Sequence, residues 1–257
     1  MKVRTLLVGV LAAVATAVVA PSAATAAPED GPMAPMIVGG GNATQTYSFM
    51  VSLQNTSGGH FCGGSLIKSN WVVTAAHCVQ GKSPSGVVAR IGTTNRTSGG
   101  TVARASRIII HPNYRTAYDI ALVQLSSGVT QAPVRISAAS GAVGTPTRAI
   151  GWGQTCATPG GCGAPVTLQQ LDTSIVADSR CGGITGSIEI CTNNPGGVAG
   201  ACYGDSGGPE VKAVGGAWEL IGATSRSGGG SQCARAPSIY SDVVAHKAWI
   251  EQHTGAL

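Results

Sequence analysis

A serine enclosed by glycines is the residue whose surroundings best fit covalent chemistry. Ser206 lies in the segment 204–209, which reads Gly-Asp-Ser-Gly-Gly-Pro. Flanking glycines let the backbone turn tightly and present amide N–H groups beside the hydroxyl. The segment is typical of a nucleophile with its own oxyanion-binding site, although a single segment of this kind is more often a glycine-rich surface turn.

Two other residues could serve such a serine as a base and as a group that orients the base. His77 ends the segment Thr-Ala-Ala-His at 74–77, directly after a strand-like run. Asp119 stands at the head of an apolar run. Alone, the histidine is usually structural and the aspartate often belongs to a turn. Together, in the order His, Asp, Ser, the three predict a catalytic triad far more specifically than any one of them.

The rest of the chain consists largely of short apolar runs. Phe49, Val51 and Leu53 occupy alternate positions, and compact β-rich runs occur at 71–73, 107–110, 120–125 and 220–224. Clusters of turn residues at 55–59, 93–100 and 227–231 separate these runs. The pattern predicts an all-β fold.

One helix is predicted at the end of the chain. Asp242 can act as its N-cap, and Val244, Ala248 and Trp249 share one face of the segment that follows. Residues 137–144 are small and carry the weakest strand signal. We therefore take them as the connection between two β-rich halves.

The first 26 residues have the pattern of a secretory signal peptide. Lys2 and Arg4 precede an apolar run at 6–20, and a small-residue cleavage site follows at 24–26. The apolar run is too short to span a bilayer comfortably. We expect a secreted, extracellular protein with no membrane association once residues 1–26 are removed.

Charge and cysteine content exclude several classes of function. Sixteen Lys and Arg against eleven Asp and Glu give a net charge of +5 without a run of like charge, so nucleic acid is not an expected partner. The eight cysteines are an even number in an exported chain, which favours disulfides. Because no Cys-x-x-Cys or His-Glu-x-x-His motif is present, we expect neither a metal nor a cofactor.

Taken together, the motifs resemble those of the chymotrypsin/trypsin family of serine endopeptidases. The resemblance runs from Ile37 to the last helix and rests on Ile37-Val38-Gly39-Gly40, the segments 74–78 and 119–122, Gly151-Trp152-Gly153, the segment 204–209, and Tyr240. It implies two six-stranded antiparallel β-barrels with the active site between them and a C-terminal helix. Residues 37–140 would form the N-terminal barrel, and residues 141–257 the C-terminal barrel with the helix.

The resemblance assigns a role to each residue of the triad. Ser206 would attack the scissile carbonyl, while His77 takes its proton and Asp119 holds the imidazole tautomer. The amides of Gly204 and Ser206 would bind the oxyanion. Ser225 matches the position whose hydroxyl contacts the buried aspartate, although an ordinary strand serine is the alternative there.

The resemblance also implies three disulfides: Cys62–Cys78, Cys181–Cys191 and Cys202–Cys233. Cys156 and Cys162 are left, and we pair them by elimination, which departs from the family pattern. The Ala-rich, Lys-poor composition and this sparse set of bridges indicate a bacterial, actinomycete-like source.

Activation is expected to follow the family pattern, with residues 27–36 as a pro-segment. Asp205 has no Lys or Arg within four positions, and a buried carboxylate needs a partner. In the family the freed amino group of the first mature residue fills that need. We therefore predict cleavage after Met36 and pairing of Ile37 with Asp205. Because residues 78–118 contain no Asp or Glu, no calcium site is expected in that loop.

The specificity pocket is expected to lack a negative charge. Members that cleave after Lys or Arg carry an aspartate six residues before the nucleophile, where this chain has Gly200, followed by Ala201. Ser227 and Ser238 align with the two wall positions. Arg226 stands where the family usually has a tryptophan, and it could favour an acidic substrate residue nearby. We expect neutral apolar or aromatic residues at P1, the residue before the cut.

The expected partners are protein or peptide substrates and protein protease inhibitors, and the expected state is a monomer. A function of another class stays open on the sequence alone, namely a member that has lost catalysis and acts as a binding protein. The complete triad and the oxyanion glycines favour the enzyme.

Overall fold

The computed structural model describes residue 1 and residues 37–257. Apart from Met1, the predicted signal peptide at 1–26 lies outside the described residues. The predicted pro-segment at 27–36 also lies outside them. Residues 37–257 belong to one compact unit.

The described residues form fourteen β-strands and two α-helices. The strands are β1 (Gly41–Asn42), β2 (Met50–Gln54), β3 (His60–Lys68), β4 (Trp71–Thr74), β5 (Val88–Ile91), β6 (Thr101–Ile110), β7 (Ala121–Leu125), β8 (Arg135–Ile136), β9 (Pro146–Gly151), β10 (Gln169–Ser174), β11 (Glu189–Thr192), β12 (Pro209–Val214), β13 (Ala217–Ser227) and β14 (Ser238–Asp242). The helices are α1 (Ala76–Val79) and α2 (Lys247–Thr254), and short 3-10 turns occupy Pro84–Gly86, Tyr114–Thr116, Asp178–Arg180 and Pro195–Gly197.

Six strands of the first half close into an antiparallel barrel in the order β2-β3-β4-β7-β6-β5. The central strand β4 reads Trp-Val-Val-Thr and is buried along its whole length. Val73 pairs with Leu122 of β7, and both side chains are fully buried. Bulky β-branched residues suit such a pleated interior, and the barrel leaves no free strand edge.

The second half forms an eight-stranded sheet in which β1, β10, β9, β12, β13, β14 and β11 follow one another. The two-residue strand β8 pairs in parallel with β13. Since β1 and β8 precede residue 141, both short strands contribute to the sheet of the other half. One large hydrophobic cluster joins the barrel interior to residues of this sheet, including Ile150, Val211 and Leu220.

The terminal helix begins later than the sequence predicted. Asp242 accepts hydrogen bonds from the amides of Val244 and Ala245, so it caps the turn that precedes α2, whereas Lys247 starts the helix. Val244 therefore lies outside the helix. The aromatic ring of Trp249 packs against His111 of the first half.

An all-β fold with one substantial C-terminal helix is confirmed. Within the described part of the chain, no helix has the length and apolar character needed to cross a membrane.

Candidate active site

The histidine and the aspartate of the predicted triad are in direct contact. His77 lies in α1, immediately after β4, and Asp119 lies two residues before β7, which pairs with β4. The imidazole Nδ1 of His77 lies 2.7 Å from Oδ2 of Asp119, and the His77 amide donates to Oδ1 at 2.9 Å. Because the carboxylate can only accept, Nδ1 carries the proton and Nε2 is left as the basic nitrogen.

The charge of Asp119 is maintained by hydrogen bonds. Burial by itself would raise the pKa of Asp119, but the imidazole and amide of His77 and the hydroxyl of Ser225 together hold that pKa below its usual value. The Ser225 hydroxyl donates to Oδ2 at 2.7 Å. Asp119 is thus an ionised group in a nearly dry site, which suits it to orient and stabilise an imidazolium.

Ser225 reaches Asp119 because of an irregularity in β13. The register between β13 and β14 shifts between Thr224 and Arg226, and such a bulge re-aims the side chain of the extra residue. On the neighbouring strand β14, the Ser241 hydroxyl donates to the carbonyl oxygen of Asp119 at 2.7 Å. The second sheet therefore fixes the aspartate that the barrel supplies.

Ser206 lies in the tight connection that leads into β12. Its carbonyl oxygen accepts a hydrogen bond of 2.8 Å from the amide of Gly63 in β3. The next residue, Gly207, has φ +75°, and a Cβ there would lie 2.1 Å from Oγ1 of Thr74. The connection therefore requires glycine after the serine. Ser206 and His77 line the same cavity, which has a volume of about 400 Å³.

The backbone of Gly204 is held by a histidine that the sequence reasoning missed. Nε2 of His60 lies 3.0 Å from the Gly204 carbonyl oxygen, and Nδ1 lies 2.8 Å from Oγ of Ser52. Burial, with a smaller contribution from the charge of Arg96, lowers the pKa of His60 to about 4. The ring is therefore neutral, donates through Nε2 and accepts the Ser52 hydroxyl at Nδ1. Gly204 itself has φ +100°, which favours glycine.

Asp205 is buried among backbone groups. Its Oδ1 accepts the Gly153 amide at 2.7 Å, and Oδ2 accepts the Cys202 amide at 2.9 Å. Burial raises its pKa to about 6, because these two hydrogen bonds offset only part of the desolvation. Ile37 is also buried, with 1% of its surface exposed, in an apolar cluster with Ala149, Leu171 and Ala199.

The cavity beside Ser206 is lined by polar and small residues. Apart from His77 and Ser206, its lining consists of residues 201–203 and 224–227, Gly230, Ser231 and Cys233. None of these described lining residues is Asp or Glu. The hydroxyl of Tyr203 donates to the Ser231 carbonyl at 3.0 Å and so joins two sides of the cavity.

The predicted pocket residues do not all lie on the cavity surface. Ala201, Ser225 and Ser227 line it, whereas Gly200 and Ser238 are outside the lining set and are buried. Ser227 and Ser238 are register partners on the neighbouring strands β13 and β14. A Cβ built at Gly200 would lie 3.4 Å from Oγ of Ser238, which leaves room for a small side chain.

Arg226 does not extend freely into the cleft. Its guanidinium group forms an ion pair with Glu189, whose side chain is fully buried. The prediction that Arg226 favours acidic substrate residues left this internal carboxylate out, because the two residues lie on different strands.

The eight cysteines form four disulfides, as predicted. They are Cys62–Cys78, Cys156–Cys162, Cys181–Cys191 and Cys202–Cys233. The loop closed by the second bridge packs beside the fourth, since the Cys233 amide donates to the Ala157 carbonyl at 3.0 Å. Four bridges are consistent with an oxidising, extracellular environment.

Among the described residues, the atoms of Cys62, His77 and Cys78 lie within 4.8 Å of one another, close enough to suggest metal ligands. Both sulfurs belong to the first disulfide, so neither is a thiolate that could bind a metal. The expected absence of a metal or calcium site stays a prediction.

Three contributions to the site carried no recognisable sequence signal. His60 and Glu189 occur in ordinary strand segments, and Tyr203 is one residue of a cysteine-containing loop. The polar ring of His60, two residues before Cys62 in a largely apolar and glycine-containing strand, is the feature that could have drawn attention to it.

Known proteins resemble this chain over most of its length. The Trypsin family model matches residues 37–250. A trypsin of Saccharopolyspora erythraea is 37% identical over 82% of this chain and 94% of its own. Trypsin Blo t 3 of Blomia tropicalis is 38% identical over 84% of this chain and 85% of its own, and a trypsin of Sus scrofa is 37% identical over 86% and 96%.

The family model spans the barrel, the second sheet and the segments that form the cleft. The chain therefore belongs to the trypsin family and is a serine endopeptidase of the chymotrypsin/trypsin type.

Proposed function

We propose that this endopeptidase cleaves its protein or peptide substrates through an acyl-enzyme formed on Ser206. His77 Nε2 takes the proton of the serine hydroxyl during attack and returns it to the leaving amine. Asp119 keeps Nδ1 protonated and stabilises the imidazolium, and the amides of Gly204 and Ser206 bind the oxyanion. Water then attacks the ester, with His77 again as the base, and the carboxylic acid leaves.

The observation that carries this proposal is the 2.7 Å contact between Nδ1 of His77 and Oδ2 of Asp119, at a cavity that Ser206 also lines. The contact fixes the tautomer that leaves the basic nitrogen free for the serine. The neutral His60 supports the proposal further, because its bond to the Gly204 carbonyl orients the loop whose amides would face the oxyanion.

An organophosphonate that labels active serine hydrolases tests the mechanism. Mature protein with intact disulfides is expected to take up one equivalent at Ser206, located by peptide mass spectrometry, and to cleave casein. Ser206→Ala, the matched control, is expected to do neither. Absence of both labelling and cleavage in the native protein would support the binding-protein alternative.

We also propose that the protein is secreted as a zymogen and gains activity when cleavage after Met36 frees the amino group of Ile37. Asp205 supports this, since it is a buried carboxyl group whose two hydrogen-bond donors are backbone amides. A cation placed beside it would stabilise the charged form, whose raised pKa reflects burial. Ordering of Asp205 would in turn order the neighbouring amide of Gly204.

Two proteins that differ by one residue test the zymogen. The protein that begins at Ile37 is expected to be active, and one with a single additional alanine before Ile37 is expected to lose most of its kcat. Equal activity of the two would contradict the proposal, and so would full activity after selective acetylation of the Ile37 amine.

For specificity we propose a neutral P1 pocket that accepts apolar or aromatic side chains and disfavours Lys and Arg. No carboxylate is present among the residues lining the cavity, and burying an unpaired guanidinium costs several kcal/mol. The relatives to which this chain is similar are named trypsins. We propose that this chain differs from members that cleave after Lys or Arg, because it has the uncharged Gly200 where they carry an aspartate.

A peptide library read at P1 tests this, together with the pair Gly200→Asp and Gly200→Asn. The native enzyme is expected to cleave after Leu, Met or Phe faster than after Arg. Gly200→Asp is expected to raise the relative rate on Arg, whereas the neutral Gly200→Asn is not. Faster turnover of Arg substrates by the native enzyme would overturn the proposal.

A further inference from the structure

An ion pair that the catalytic cycle does not require lies in the wall of the cleft. Arg226 follows the bulge in β13, and Glu189 begins β11 within the loop closed by Cys181–Cys191. Nη1 of Arg226 donates to Oε1 of Glu189, and Nη2 donates to Oε2 at 3.0 Å. The contact is bidentate, the arrangement in which a guanidinium recognises a carboxylate most specifically.

The two partners differ in access to the cleft. The Glu189 side chain is 0% exposed, and the Arg226 side chain is 37% exposed and lines the cavity with Ser206 and His77. A guanidinium keeps its positive charge at any physiological pH. The positive charge of Arg226 therefore faces the cleft, whereas the carboxylate of Glu189 that balances it is buried behind Arg226.

The remaining hydrogen-bond donors of Arg226 are also largely satisfied from within the protein. Nη1 lies 3.4 Å from Oγ of Ser225, and Nη2 donates to the Gly183 carbonyl at 2.8 Å. These contacts and the two to Glu189 account for four of the five N–H groups of a guanidinium. Glu189 is anchored in turn, because its Oε2 accepts the Thr185 amide at 2.7 Å.

A substrate bound as the proposed function requires would lie beside the ion pair of Arg226 and Glu189. The pairing of β12 with β13 ends at Pro209 and Ala223, whereas β14 pairs with the opposite edge as far as Ser227. The edge of β13 at Arg226 and Ser227 is therefore open beside the cavity. An extended peptide can add to such an edge, which places substrate residues upstream of P1 against Arg226.

We propose that Glu189 acts as an internal carboxylate that occupies the guanidinium fork of Arg226 and thereby removes a preference for acidic substrate residues upstream of P1. The inference rests on the proposed function. At this point of the native cleft, the charge of Arg226 is balanced and most of its hydrogen-bond donors are already used. Without the Glu189 carboxylate, the same guanidinium becomes a receptor for a substrate Glu or Asp.

Paired peptide substrates test the proposal. Each pair keeps P1 fixed and places Glu or the isosteric Gln at P2, P3 or P4, and kcat/KM is measured for the native enzyme, Glu189→Gln, Arg226→Gln and the double variant. The native Glu/Gln ratio is expected to stay near unity at every position. Glu189→Gln is expected to raise it about fivefold at one position, the size of a partly exposed ion pair.

The double variant is the matched control. It lacks the guanidinium, so its ratio is expected to return to near unity, and the gain in Glu189→Gln is expected to shrink as salt is added. An unchanged ratio in Glu189→Gln overturns the proposal. A native ratio that strongly favours Glu and is lost in Arg226→Gln overturns it equally, without any need for Glu189→Gln to fold.

Organophosphonate titration of Ser206 keeps the two proposals apart. Native protein that fails to react contradicts the proposed function. Native protein that reacts and cleaves, but whose Glu/Gln ratio does not respond to Glu189→Gln, contradicts only the role assigned to Glu189.

Discussion

Asp119, just before β7 of the barrel, and Glu210, in β12 of the second sheet, are both buried carboxyl groups, but among the described residues only Asp119 accepts well-formed hydrogen bonds. Asp119 accepts from the amide and imidazole of His77 and from Ser225, and its pKa is lowered. Neither Glu210 oxygen has a hydrogen-bond partner among the described residues. Burial raises its pKa to about 8.

The difference shows that donors, more than burial, decide which carboxyl group carries charge. The hydroxyls of Thr147 and Tyr240 lie near Glu210 and favour its ionised form, but neither makes a well-formed hydrogen bond to it, so they offset only part of the desolvation. Glu210 therefore remains a neutral acid at neutral pH, whereas Asp119 remains an anion. The following predictions would break or sharpen this contrast.

Asp119→Asn is expected to have the largest effect, a fall of about 10⁴-fold in kcat/KM, the loss given by the same change in the template enzyme of this family. The amide can donate to His77 and so favours the wrong tautomer. Kinetics on a peptide ester measure it, with the melting temperature as the control for folding. A loss below about tenfold would mean that the donors around Asp119 have no catalytic consequence.

Glu210→Gln is expected to change how stability depends on pH. A group whose pKa is raised in the folded state destabilises the fold as pH rises from the unfolded value near 4.5 towards about 8. At about 1.4 kcal/mol per pKa unit, the variant should gain several kcal/mol relative to the native protein between pH 5 and pH 9. Chemical denaturation at both pH values measures the gain.

Glu210→Met provides the control, because it removes the titration without introducing an amide. A native protein and variants whose stability curves run parallel from pH 5 to pH 9 would contradict the neutral state assigned to Glu210.

The buried His246 is expected to give a pH dependence of stability with the opposite sign to that of Glu210. Burial, together with the nearby His111, lowers the pKa of His246 from 6.5 to about 4. Between pH 6.5 and pH 4 the unfolded chain binds a proton at His246 that the folded chain does not bind. The free energy of unfolding is therefore highest above pH 6.5 and falls as the pH drops towards 4. His246→Phe is expected to be relatively more stable at pH 5 than at pH 7.5 by about 2 kcal/mol. Melting at the two pH values tests it, and equal shifts would refute it.

Ser225→Ala is expected to have the smallest effect. It removes one donor from Asp119 but leaves the two from His77, so kcat should fall by about tenfold, as for one hydrogen bond to a charged group. Ser241→Ala, which removes a bond to the Asp119 backbone rather than to its carboxylate, is the matched control. Equal losses in both variants would mean that Ser225 only supports the backbone.

Much of the fold and the triad segments could be predicted because their signals are local. The glycines around Ser206 are required by the local backbone conformation there. The β-rich runs at 71–73 and 120–125 correspond to β4 and β7. The residue at which α2 begins was harder to predict from the sequence. Asp242 is a good cap, but it caps a turn, and only the packing of the following residues decides where the helix begins.

The charged partners could not be predicted for a different reason. Glu189 and Arg226 are separated by 37 positions and meet only because β11 and β13 both pair with β14. Glu210 reads as an ordinary polar strand residue, and its burial depends on the strands that flank β12. Sequence spacing carries no information on such contacts between strands.

The histidine that holds the Gly204 carbonyl belongs to the barrel, whereas Gly204 belongs to the second half of the chain. Likewise, His77 and Asp119 come from one half and Ser206 from the other. The proposed triad can therefore form only after both halves have folded and docked. A newly made chain that is still partly open lacks this site, so it cannot yet cut its own siblings.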